Sequence, residues 1–104
     1  LFIDREENLF VAELGEIAGK GPNVEVLPHT PHARVSIMTL EGIVHTRFGE
    51  SDPVVPGNFF APHGIWADSK GDLYVAEVTY SGGGRFGLVP LDLASLQKFA
   101  RVKG

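Results

Sequence analysis

Apolar and polar positions along this chain follow the short rhythms of β-structure. Arg34 to Leu40 alternates, as a half-buried strand does, and Leu73 to Ala76 repeats that alternation. Gly64 to Asp68 is a short apolar run, and Ser69-Lys70-Gly71-Asp72 supplies turn chemistry between it and Leu73. The stretch from Phe59 to Glu77 therefore reads as strand, tight turn, strand. A worn copy of it opens the chain: Leu1 to Asp4, then Arg5-Glu6-Glu7-Asn8, then Leu9 to Glu13. Aligned, the two share D-x-x-x-(N/D)-L-(F/Y)-V-A-E, with Asp4 over Asp68 and Glu13 over Glu77, an offset of 64 residues.

This internal repeat sets the expected architecture. In the first unit, strands are predicted at Leu1–Asp4, Asn8–Leu14, Arg34–Leu40 and Ile43–Phe48, with a hairpin turn at Glu41-Gly42. Residues 15–33 carry three prolines and read as a long loop. In the second unit, strands are predicted at Gly64–Asp68, Leu73–Glu77, Leu88–Leu91 and Leu96–Val102, with a loop over Val78–Gly87. Ser95 to Arg101 also fits a helical turn or two; its position, matched to Ile43–Phe48, favours strand. The expected fold is all-β: two four-stranded antiparallel blades of a propeller, residues 1–58 and 59–104, with a β-sandwich as the alternative. Two blades alone leave two apolar sheet faces in water. The chain is thus expected either to be part of a longer one or to close a ring, three copies giving six blades. It opens on Leu1 inside a repeat, so a natural beginning upstream is expected.

Composition narrows the function classes. A net charge of −4 without a basic cluster argues against a nucleic-acid or anionic-membrane surface. With no cysteine there is no disulfide framework and no thiolate metal site. No apolar run approaches the roughly 20 residues of a spanning helix.

Three stretches carry a family resemblance: Pro62–Glu77 (PHGIWADSKGDLYVAE), Ala33–Gly42 (ARVSIMTLEG) and Ser95–Val102 (SLQKFARV). They resemble the last two blades of six-bladed propellers of the NHL-repeat and senescence-marker-protein/gluconolactonase-like group, and the resemblance spans nearly the whole chain. It implies a central channel with a divalent metal, zinc or calcium, at its top, and either lactone hydrolysis or, in a related branch, peptidyl-hydroxyglycine amidating lyase chemistry. Pro62-His63 is similar to the Pro-His pair that holds zinc in the lyase branch. The full Glu, Asn and Asp ligand set of the lactonases has no equivalent here. The NHL branch implies instead a binding module without catalysis.

Blade topology gathers the candidate chemistry at one end. His63 opens a first strand, Glu13 and Glu77 close second strands, and His29, His32, Tyr80 and Arg85 lie in the loops that follow. An imidazole is the commonest metal ligand, and three copies of His63 around an axis would leave a fourth zinc position for water. Glu77, Glu13 and Tyr80 are the candidate catalytic groups, the glutamates as general bases or as partners of a metal-bound water. Against this, a carboxylate at a strand end also serves to accept loop N–H groups. Asp4 and Asp68 are expected to cap turns. His45 is expected to be exposed, Gly82-Gly83-Gly84 to be a flexible turn, and Phe59, Phe60 and Trp66 to pack blades. A small-molecule ligand and a homotrimer are the expected partners.

Overall fold

The computed structural model describes residues 1–15 and 32–101, which are all-β apart from one short helix and a 3-10 turn. Strands β1 (Phe2–Ile3), β2 (Leu9–Glu13), β3 (Arg34–Met38) and β4 (Val44–Phe48) form an antiparallel sheet in chain order. Strands β5 (Pro62–Ala67), β6 (Leu73–Glu77) and β7 (Leu96–Phe99) form a second. Helix α1 (Thr79–Gly82) and the 3-10 turn at Gly84–Phe86 occupy the connection from β6 to β7. The two sheets stack; they close neither a barrel nor a ring.

The sequence repeat is also a structural one. Phe2 pairs with Phe10 and Ile3 with Leu9, as Trp66 pairs with Tyr74 and Ala67 with Leu73. The turns match in their backbone bonds and in the bonds to Oδ1. Asp4 Oδ1 accepts the N–H groups of Glu6 and Asn8, and Asp68 Oδ1 those of Lys70 and Asp72. Each turn ends on a left-handed residue, Glu7 at φ 63° and Gly71 at φ 85°. The third strands keep the same register: Val11 faces Ser36 and Val75 faces Gln97.

Paired residues share a sheet face, so the registers show how the sheets meet. The first sheet turns Phe10, Val35 and Phe48 to the second, which answers with Ile65, Ala67, Leu73, Val75 and Phe99; Ala33 and Phe59 complete the core. Rings of Phe48, Phe59 and Phe99 lie 5.0–5.8 Å apart, centroid to centroid, within the tilted arrangement that aromatic pairs favour. Each fully buried side chain of this size contributes about 1.5–3 kcal/mol. Phe60, Ala61 and Val89 form a smaller cluster beneath the α1 connection.

Several expectations need correction. The second sheet has three strands among the described residues, not four. Leu88–Leu91 is no strand: its apolar residues serve the smaller cluster, where Val89 is buried and Leu88 packs against it. Leu96–Phe99 is a strand and not a helix, but it pairs with β6 and so matches β3, not β4. Gly82-Gly83-Gly84 is buried and not an open turn; a side chain at Gly83 would overlap the Phe60 ring. Phe59 and Phe60 pack as expected, whereas Trp66 stands 54% exposed on the outer face of the second sheet. His29 and the predicted strand end at Val102 lie outside the described residues.

Candidate functional site

The candidate residues sit where β5 begins and β6 ends. Pro62 pairs with Glu77, and the register then slips before Gly64 pairs with Ala76. His63 is the residue left over. A bulge of this kind re-aims the side chain at its centre, and His63 is exposed. The chain backbone crosses at the same point, Val78 N–H donating to Ala61 C=O at 3.0 Å.

Glu77 lies beside His63 in the ladder, but its carboxylate points into the protein and is buried. Oε1 accepts the N–H groups of Phe60 at 2.7 Å and Ala61 at 3.1 Å, and Oε2 accepts Gln97 Nε2 at 3.3 Å. Gln97 extends the network, donating to Asn58 C=O at 2.8 Å and accepting Gly57 N–H at 2.9 Å. Asn58 in turn accepts Glu50 N–H and donates to Asp52 C=O. One buried acid thus fastens the 50–58 linker and the lead-in to β5 onto β6 and β7. Its oxygens are engaged by donors, which is the arrangement of a structural clamp rather than of a free base.

Glu13 repeats the position with other partners. Oε2 accepts Arg34 Nε at 3.0 Å and also the Ser36 hydroxyl, and Arg47 Nε donates to Ser36 Oγ at 3.1 Å. Partial burial pushes the Glu13 carboxyl up, but the bonds from Ser36 and Arg34 and the charges of Arg34 and Arg47 outweigh it and hold the group below its ordinary value. Ser36 and Gln97 occupy equivalent register positions, so the glutamate–third-strand bond is itself repeated. Glu13 shares an end of the sheets with Glu77 but lies on the face of the first sheet turned away from the second. Within one chain the two glutamates therefore do not meet at one point.

Tyr80 stands on α1 at 62% exposure. Arg85 donates to Ser81 C=O at 3.0 Å and lies over the Phe86 ring at 4.5 Å. His32 is bonded through Nε2 to Gly49 C=O at 2.8 Å, and His45 is exposed as expected. His63 and Tyr80 are therefore exposed candidates at this end, with Arg85 exposed beside Phe86. Among the described residues no three of His, Asp or Glu come together to hold a metal ion. Among the described residues of one chain, no ligand set for a zinc or calcium ion forms around the His63 imidazole.

The opposite end holds a feature the sequence did not flag. An open cleft of about 1120 Å³ lies between the two repeated turns, floored by Phe10, Phe48 and Phe99 and rimmed by Asp4, Asp68 and Arg101. Its lining is drawn from all seven strands, and only the packing of the two sheets brings them together. No described helix is long and apolar enough to cross a membrane. Comparison with protein-family models, with curated proteins and with solved structures returned no match.

Proposed function

We propose that the two sheets are consecutive blades of a propeller of the NHL-repeat and gluconolactonase-like kind, completed to six blades by three copies, and that the ring is a binding module. Its ligand surface is the end that carries His63 and Tyr80, where a small molecule would meet an imidazole and a phenol held on a bulge and a short helix. The observation that carries this reading is the use made of the repeated glutamates. Glu77 is buried under three donors, and the half-buried Glu13 accepts two. The acids that a hydrolase or lyase reading needs as bases are thereby occupied in holding blades together. His63 is left as an exposed ring whose neighbouring acid, Glu77, is already engaged.

The test is solution mass by light scattering, followed by metal analysis. The reading expects three times the 11.2 kDa chain, about 34 kDa. It also expects an unchanged mass and an equal, low metal content in wild type and His63→Ala. Stoichiometric metal in the wild type that is lost in His63→Ala would turn the reading to a metal-dependent lyase or hydrolase. A mass of 11.2 kDa at all concentrations would remove the ring.

A further inference from the structure

The two sheets meet head to tail. The face of the first sheet that is buried between them carries Phe2, Phe10, Ala12 and Val35; the equivalent residues of the second sheet, Trp66, Tyr74, Ala76 and Leu96, look outward. The buried face of the second sheet carries Ala67, Leu73, Val75 and Gln97; their equivalents Ile3, Leu9, Val11 and Ser36 look outward from the first sheet. Phe2, Phe10, Ala12 and Val35 thus each have an apolar or aromatic equivalent on the open face of the second sheet, and Ala67, Leu73 and Val75 on that of the first; Ile37 differs, its equivalent being Lys98 at the edge of the open face. Trp66 and Tyr74 pair at 5.6 Å as Phe2 and Phe10 do at 6.1 Å. On the open faces Trp66 is 54%, Leu96 63% and Ile3 52% exposed. A heterologous contact of this kind leaves one complementary face at each end, and its repetition extends the stack or closes it.

Resting on the propeller reading, we infer that the outward face of the second sheet (Trp66, Tyr74, Ala76, Leu96) is the docking surface for the outward face of the first sheet (Ile3, Leu9, Val11) of a second copy of this chain. The contact repeats the one already formed inside each chain. In that contact β2 packs against β5, so in the new one β6 of one copy lies against β1 of the next. Two copies do not meet through the same patch: Trp66 faces the neighbour's first sheet and never its Trp66.

The test exploits this polarity. Trp66→Glu and Ile3→Glu each place a charge on one open face at an exposed position, away from the core. Each variant alone is expected to run as a monomer of 11.2 kDa, because every contact then contains one damaged face. An equimolar mixture is expected to form a heterodimer of about 22 kDa, twice the chain mass, through the two faces left intact. That recovery also shows that both variants are folded. A mixture that stays monomeric, or a variant that keeps the wild-type mass, overturns the inference. If the wild type runs near 34 kDa while only one variant dissociates, the ring survives and this pairing of faces falls. If the wild type is itself a monomer, both fall together.

Discussion

At the residue scale, Glu77 is the group the second sheet is least able to lose. Truncation to Ala leaves the Phe60 and Ala61 N–H groups buried without an acceptor and frees Gln97, which holds the linker. Each unsatisfied donor costs about 1–3 kcal/mol, so Glu77→Ala is expected to lower the urea midpoint steeply, and Glu77→Gln less, since its amide oxygen still accepts. Glu13 adds a pH dependence of known sign. Its folded carboxyl lies below its ordinary value of 4.5, so its contribution is complete above that value and is lost as the pH falls through the folded one. The wild type is expected to lose stability more steeply than Glu13→Gln as the pH falls below about 4.5, measured as the urea midpoint at each pH. A parallel loss in both proteins would assign the acid sensitivity to other carboxylates, Asp4 among them, which its bonds to Asn8 and Glu6 also hold low against partial burial.

At the element scale, the two turns form a natural experiment. Both require a left-handed residue at one position; the second turn supplies Gly71 and the first supplies Glu7. A side chain in that region costs about 1–2 kcal/mol. Glu7→Gly is therefore expected to raise the urea midpoint, by up to about 1 kcal/mol once the added freedom of the unfolded chain is counted, while Gly71→Ala lowers it. An equal response at both positions would mean that the turns are not equivalent. This repeat was the legible part of the sequence, because Asp4 and Asp68 cap their turns through local bonds that depend on adjacent residues only. The connection after β6 was not legible. Leu88, Val89 and Leu91 look like a strand in the local pattern, yet nothing in the ladder is there to pair with them, and Val89 is drawn instead into the cluster with Phe60 and Ala61. That displacement moved the assignment of Leu96–Phe99 by one strand. The site was half legible for the same reason. His63 and Glu77 follow from strand ends, but whether a carboxylate points out to solvent or in to backbone donors depends on the chain that crosses it.

At the scale of the whole molecule, the head-to-tail contact ties stability to association. Each open face carries apolar side chains that water leaves unpaid, Trp66 and Leu96 on one and Ile3 on the other, and their burial in a neighbour stabilises only the folded chain. Folding linked to assembly makes the thermal midpoint depend on protein concentration. For three chains closing a ring, a tenfold rise in concentration is worth roughly 1 kcal/mol per chain, or about 4–8 °C for a domain of this size. Wild type is expected to show that slope in thermal scans across a hundredfold range. Trp66→Glu and Ile3→Glu are each expected to melt lower and at a concentration-independent midpoint, and their equimolar mixture to recover part of the slope. Because both substitutions lie at exposed positions of the isolated chain, a loss of slope reports the contact between copies and not damage to the core shared by Phe48, Phe59 and Phe99. A flat wild-type midpoint would mean that the two stacked sheets are a sufficient folding unit, and that the exposed aromatic pair of Trp66 and Tyr74 is borne in water without a neighbouring chain.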